Sequence, residues 1–399
     1  MKPIGNTTMI PNKRTRIIWS CIILGFIVQI VYLSFIGCSH TSPYYHPDIS
    51  LDAKTEVFTD TLIDYRIILI GDAGQPKPDE PVLKSLKNWS ALEHDKTTVV
   101  FLGDNMYPDG MTEKRRDEVE EKLVPQLDTI TLSKTHGIFI PGNHDWTNGG
   151  EEGYHALLEQ QKFIENRLSQ RPAFLPKNGS PGPIQVDLPE SSPVLRLIVL
   201  DTQWWLQENP HSSETSTSVI SELKRLLQTD LPIIVVGHHP IASYGQHGGF
   251  FDWKDHIFPG RMYKKWLWVP IPILGSIFPL SRWHVIDNTQ DLNSERYAQM
   301  IDQFKQAFKT SKQSSLLIYA SGHDHSLQVL QGDVTDYLLI SGLGSTVKAS
   351  PVSHGDNTLF AHQHTGFMSI DFLIDGGILL RVIEPIGEKV VFHHWLKSR

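Results

Sequence analysis

Five short apolar runs in this chain end alike, in a glycine-bearing turn that carries a carboxylate, an amide or an imidazole. Residues 66–70 lead into Gly71-Asp72-Ala73-Gly74, and residues 98–102 into Gly103-Asp104-Asn105-Met106-Tyr107. Residues 137–140 lead into Pro141-Gly142-Asn143-His144-Asp145. Residues 233–236 lead into Gly237-His238-His239-Pro240, and 316–320 into Ser321-Gly322-His323-Asp324-His325. Runs this short and apolar read as strands. In α/β sheets, ligands bind beyond the carboxyl ends of strands. Glycine there lets the backbone turn sharply and approach an ion closely. A single Gly-Asp after a strand is usually only a turn. Five such ends in succession, all with metal-competent side chains, point to convergence on one site.

The rest of the pattern sets the fold class. Further strand-like runs fall at 195–200, 337–340, 367–373, 378–383 and 389–393. Helical periodicity falls at 80–93, 112–128, 151–168, 216–228 and 294–310. The first half reads as βαβ units and the C-terminal third as hairpin-like strands. The expected fold is α/β, a four-layer α-β-β-α sandwich of two packed mixed sheets flanked by helices. Its domain covers residues 62–399.

Composition excludes other classes. A chain of 399 residues that is 40% hydrophobic can bury a sizeable core and is neither disordered nor collagen-like. Its two cysteines, Cys21 and Cys38, lie near the start, so no disulfide framework holds the fold. A net charge of −8 argues against nucleic acid as a partner. Residues 1–16 are a basic segment with Lys2, Lys13, Arg14 and Arg16 and no acid. Residues 17–36 are uncharged and apolar, long enough for a helix to cross a bilayer. The basic flank should stay cytoplasmic, which exports the chain beyond residue 38 to a periplasmic or extracellular face. The segment 17–38 reads either as an uncleaved signal anchor or, through Phe35-Ile36-Gly37-Cys38, as a lipoprotein signal peptide with a lipidated Cys38. Residues 39–61 read as a linker.

The ordered blocks at the strand ends resemble those of the calcineurin-like metallophosphoesterases, and within them the purple acid phosphatases. The blocks are Gly71-Asp72-x-Gly74, Gly103-Asp104-x-x-Tyr107, Gly142-Asn143-His144, Val235-x-x-His238 and Gly322-His323-x-His325. Most of the superfamily has a metal-binding His where this chain has Gly74. Tyr107 supplies a phenolate in compensation, and a hard anionic donor of that kind favours Fe(III). The resemblance implies that one ion takes Asp72, Asp104, Tyr107 and His325. A second takes Asp104, Asn143, His238 and His323, with Asp104 as the bridge. The implied cofactors are Fe(III) plus Fe(II), Zn or Mn. His239, beside His238, competes for the ligand role and is otherwise a substrate-binding candidate. The implied chemistry is phosphate monoester hydrolysis, with water activated by the two ions for in-line attack. His144 would stabilise the phosphoryl oxygens, with Asp145 orienting it. His247 would protonate the leaving group, or is only a flexible loop residue.

Two features lie outside that scheme. An aromatic, Pro-interrupted insertion spans about 248–286, and prolines keep it from forming one spanning helix. It is either a lid packed on the domain or, over 262–283, a surface resting in the membrane interface. His362 and His364 form a second His-x-His, read as exposed loop residues or as substrate contacts. The expected partner is a small phosphorylated substrate, with the oligomeric state open. Alternative functions are a phosphodiesterase or a nucleotide or lipid-headgroup phosphatase of the same fold. A further alternative is a non-catalytic surface protein on that fold.

Overall fold

The structure is a computed structural model describing residue 24 and residues 42–49, 62–170, 172–208, 213–262, 264, 266–271, 274–312, 315–345, 349–387 and 389–398. The segments expected at 1–16 and 17–38, apart from Leu24, and most of the linker lie outside the described residues. Among the described residues, no helix is long and apolar enough to cross a membrane. Contacts divide the chain into a body formed by residues 39–250 and 287–399 and a smaller unit containing residues 251–286.

The strands of the body, in chain order, begin with β1 (Tyr44–Tyr45), β2 (Ile63–Ile70), β3 (Thr97–Phe101), β4 (His136–Phe139), β5 (Ile184–Leu188), β6 (Leu195–Val199) and β7 (Ile233–Val236). They continue with β8 (Leu317–Ser321), β9 (Leu327–Gln331), β10 (Tyr337–Ser341), β11 (Thr358–His362), β12 (Phe367–Leu373), β13 (Ile378–Glu384) and β14 (Lys389–Lys397). One sheet has the order β14-β13-β12-β2-β3-β4 and the other β1-β11-β9-β10-β8-β7-β6-β5. Within the first, β2, β3 and β4 are parallel. Within the second, β6, β7, β8 and β10 are parallel. The antiparallel C-terminal hairpins extend the first sheet through β12.

Side chains alternate across each strand, so one strand feeds two cores. Ile67 and Leu69 of β2 face the seam between the sheets, where they meet Val199, Ile234 and Ala320 of the other sheet. Ile68 and Ile70 face outward and meet helices α1 (Pro81–Ala91), α2 (Val119–Lys122), α3 (Val124–Ser133) and α4 (Gly150–Arg167). After α5 (Gln203–Leu206) comes α6 (Ser216–Leu226). Beyond α7 (Trp253–Ile257) and α8 (Ile277–His284), both in the smaller unit, lies α9 (Glu295–Phe308). Helices α6 and α9 cover the outer face of the second sheet through Val219, Leu223, Met300 and Phe304. The body is therefore the expected four-layer α-β-β-α sandwich.

Two expected elements are corrected. The helix expected at 112–128 is broken into a 3-10 turn at Glu113–Glu118, α2 and α3, and Pro125 sits in the first turn of α3. Proline cannot donate its amide to a continuing helix but suits a first turn. Part of the expected linker is strand β1, which pairs with β11 and ties Tyr45 Oη to the Val391 carbonyl at 2.9 Å.

Candidate metal centre

The carboxyl ends of β2, β3, β4, β7 and β8 converge. Backbone bonds stitch them: Asp72 N–H donates to the Gly103 carbonyl at 3.0 Å, and Gly322 N–H to the His238 carbonyl at 2.9 Å. Three of the converging residues, Asp72, Asp104 and His323, have φ of 57°, 54° and 68°. Non-glycine residues seldom adopt this left-handed region, and the surrounding structure holds them there. Two glycines are required by crowding. A Cβ on Gly142 would lie 2.3 Å from Asp104 Oδ1, and one on Gly322 would lie 2.5 Å from Asp72 Oδ2.

The donor atoms form two adjoining clusters. In the first, Tyr107 Oη lies 2.8 Å from Asp72 Oδ1 and 3.0 Å from His325 Nε2. His325 Nε2 is 3.3 Å from Asp72 Oδ1. In the second, Asn143 Oδ1 lies 3.0 Å from His238 Nε2 and 3.2 Å from His323 Nδ1. Asp104 joins them. Its Oδ1 is 3.4 Å from His238 Nε2, and donor atoms of Asp72, Asp104 and His325 lie within 4.8 Å of one another. All seven residues expected as ligands are thus brought together.

Two imidazoles are held in the tautomer a ligand needs. His238 directs Nδ1 to the Leu102 carbonyl at 2.9 Å, leaving Nε2 for the cluster. His323 directs Nε2 to the Gln290 carbonyl at 2.8 Å, leaving Nδ1. A backbone carbonyl behind a histidine is the usual support of a metal ligand. Burial and the neighbouring His247 and His239 push His323 well below the usual histidine range, which favours the neutral, ligating form. Burial opposes ionisation of Asp104, but the His238 and His144 rings bring its carboxyl down to about 2. Burial and the Asp104 and Asp72 charges push the Tyr107 phenol well above its usual range, and a cation at this point would reverse that sign. Buried carboxylates, phenol, amide and imidazoles, with no thiolate, fit two hard or borderline cations.

His239 is placed differently. Its Nδ1 meets Thr202 Oγ1 at 2.8 Å and its Nε2 meets Gln290 Oε1 at 2.9 Å. It lies within 4.8 Å of the ligand atoms of His238 and His323, but both of its nitrogens have protein partners.

The catalytic candidates divide. His144 lies at the rim, with its N–H bonded to Asp104 Oδ1 at 3.0 Å and its Nε2 3.9 Å from Asp104 Oδ2. His144 Nδ1 meets the Pro108 carbonyl. That carbonyl, rather than Asp145, orients the ring. Asp145 is fully buried and accepts from Gly142 N–H at 2.8 Å, Asn105 N–H at 3.0 Å and Gln160 Nε2 at 2.9 Å. Its backbone donors lie in the loops after β3 and β4, so it fixes the two loops to each other. Burial and the Asp104 charge push its carboxyl up to about 6.

His247 is near the centre, its ring 4.0 Å from that of His323. Asp291 Oδ1 pairs with its Nδ1 at 2.9 Å, and Asp324 accepts from its N–H at 3.2 Å. It is not a free loop residue. His362 and His364 stack on each other at 5.3 Å, and both face Glu384. Their partner is thus a carboxylate of β13, and His362 is a buried residue of β11 rather than an exposed loop residue. Gln290, Asp291 and Thr202 carry no signal in the sequence, because no spacing links them to the histidines they hold. Asp324 stands inside the Gly322-His323-x-His325 block, where its residue type alone assigns it no role.

A family model for calcineurin-like phosphoesterases matches residues 65–260. Purple acid phosphatase 17 of Arabidopsis thaliana is 23% identical over 354 residues, covering 83% of this chain and 84% of that protein. Purple acid phosphatase 3 of the same plant is 21% identical over 320 residues, covering 75% and 68%. Among solved structures, the chain is similar to GAP50, "the anchor in the inner membrane complex of Plasmodium". The TM-score is 0.51 at 18% identity, with 84% of this chain and 89% of that one covered. With the ordered blocks, the four-layer sandwich and the paired donor clusters, these matches agree in one direction: over residues 65–260 the chain is similar to the calcineurin-like phosphoesterases, and along most of its length to the purple acid phosphatases.

Proposed function

We propose that the protein is a phosphatase that hydrolyses phosphate monoesters with two bound cations. Its body is exported and tethered to a membrane by residues 17–36. One observation carries the reading: two donor clusters share Asp104, which is fully enclosed by the strand-end loops. Asp72, Asp104, Tyr107 and His325 would hold one cation, and Asp104, Asn143, His238 and His323 the other. Cations bound there supply charge neutralisation for phosphate oxygens and lower the pKa of water. The phenol of Tyr107 favours Fe(III) in the first position, beside Fe(II), Zn or Mn in the second.

The chain's own residues complete the chemistry. His144, pinned through Nδ1 to the Pro108 carbonyl, presents Nε2 beside Asp104. Protonated, it donates to a phosphoryl oxygen as charge builds in the transition state. His247, held through Nδ1 by the buried Asp291, has Nε2 available to give a proton to the departing alkoxide. The non-catalytic reading draws on GAP50, which is described as an anchor, but that likeness extends to the fold alone. The complete donor set supports hydrolysis.

The test is to purify the protein and measure metal content, visible absorption and turnover of p-nitrophenyl phosphate and bis-p-nitrophenyl phosphate. Two metals per chain, faster monoester turnover and an absorption band lost in Tyr107→Phe support the reading. Faster diester turnover would move the assignment to a phosphodiesterase. A metal-free protein without hydrolase activity would favour the non-catalytic alternative.

A further inference from the structure

We propose that the unit containing residues 251–286 is a second membrane contact, which docks its outer surface into the interface of an anionic phospholipid bilayer. Among the described residues, 15 large hydrophobic side chains are exposed, and nine of them fall within 251–286. Trp266 is 73% exposed, Trp268 52%, Leu274 63%, Ile277 59% and Val285 81%. Single exposed apolar residues are ordinary on a protein surface, but a concentration in one short segment marks an interaction site.

Charge identifies the occupant. The segment carries Lys254, Arg261, Lys264, Lys265 and Arg282 against Asp252 and Asp255, a net +3 in a chain whose net charge is −8. The acidic bulk of the protein is repelled by anionic lipid, and this segment is attracted to it. A partner surface of apolar and acidic character together is what a bilayer with anionic headgroups presents. The mixture of Trp with Arg and Lys suits the headgroup boundary, where amphipathic rings and long basic side chains settle. Arg261 lies over the Trp268 ring at 4.0 Å and Lys254 over the Trp253 ring at 5.7 Å. Each pair puts a cation and an aromatic face at one depth.

Among the described residues of 251–286, no helix is long enough to span. The α-helices described there, α7 and α8, have 5 and 8 residues, and Pro259, Pro270 and Pro272 fall between them in the sequence. Pieces this short cannot cross a bilayer but can lie in its surface. Membrane association by this unit is independent of the hydrolytic reading, since none of these residues belongs to the donor clusters.

The experiment uses the full chain reconstituted into vesicles of phosphatidylcholine with and without phosphatidylglycerol. Cys21 and Cys38 are replaced by Ser, and a polarity-sensitive fluorophore is attached at Trp266→Cys. A control chain carries it at Ile374→Cys, another exposed apolar position, in the body. Brominated acyl chains quench a fluorophore only when it enters the bilayer. The expected result is strong quenching at 266 and none at 374, greater with phosphatidylglycerol and weaker at high salt. Arg261→Gln with Lys264→Gln should cut the docked-to-free ratio on the order of twentyfold on anionic vesicles. An unchanged thermal melt confirms that this variant is folded. Equal quenching at the two positions would overturn the proposal. So would protection of position 266 that rises with protein concentration in the absence of lipid, which would assign the surface to a second copy of the chain.

Discussion

Trp146 and Trp266 stand in regions of the same chain that treat a large aromatic ring in opposite ways. Trp146 is fully buried in the body, and its Nε1 donates to Asp201 Oδ2 at 2.8 Å. Trp266, in the 251–286 unit, is 73% exposed. In the body the strand-end loops are over-determined. Asp145 alone ties together the amides of Gly142, Asn105 and Met106, and left-handed φ values at Asp72, Asp104 and His323 are held in place. Among the described residues of 251–286, nine large apolar side chains are exposed instead. A rigid region can position donor atoms to within tenths of an ångström, which catalysis requires. The membrane contact proposed for 251–286 would need area and charge rather than fixed atoms.

The largest expected effect lies at the shared carboxylate. Asp104→Asn should lower turnover of p-nitrophenyl phosphate by roughly a thousandfold or more and reduce bound metal, with the melting temperature little lowered. Turnover within a few fold of wild type would overturn the proposed catalytic role of the donor clusters and, with it, the contrast between the two regions. Next comes burial. Trp146→Ala should cost about 3–5 kcal/mol in urea unfolding, since it empties a packed site and strands a buried carboxyl. Third, His247→Asn and Asp291→Asn should each slow hydrolysis by about a hundredfold for alkyl phosphates. The loss should be much smaller for p-nitrophenyl phosphate, whose leaving group needs no proton. Equal losses on both substrates would mean that the pair is structural.

A smaller effect concerns pH. Burial pushes the Asp201 carboxyl up to about 7 against the bonds it accepts from Trp146 and Trp204. An acid whose pKa is raised by folding binds more protons in the native state than in the unfolded one. Its contribution to stability therefore falls as pH rises from the unfolded value of ~4 to about 7, and is constant above. Asp201→Asn should remove this slope, so that the stability difference from wild type changes across that window and not beyond it. Parallel stability curves for the two proteins would show that the carboxyl titrates normally. Smallest of all, Trp266→Ala should change stability by less than about 0.5 kcal/mol. A loss comparable to that of Trp146→Ala would mean that Trp266 is part of the core.

The contrast also explains what the sequence disclosed. The strands β2, β3, β7 and β12 are legible because buried strands are unbroken apolar runs. Strand β5 is not, since Gln185 and Asp187 interrupt it at the sheet edge. Strand β9 comes so soon after the His323-x-His325 block that it reads as part of a loop, and β11 is masked by the polar residues around it. All seven expected ligands are visible because each is local to a strand end. The groups that orient them are not. Asp291 lies 44 residues after His247, and Leu102 holds His238 from 136 residues away, through its carbonyl. A backbone carbonyl leaves no signature in the residue type. Asp145 misleads for the converse reason, since adjacency to His144 suggests contact while the turn sends its carboxylate inward.

The most direct test of the account is anomalous diffraction from crystals of the protein purified with its own metals. The account predicts two peaks flanking the Asp104 carboxylate, one beside Asp72, Tyr107 and His325 and one beside Asn143, His238 and His323. A protein that hydrolyses phosphate monoesters at full rate with no peak at Asp104 would contradict it.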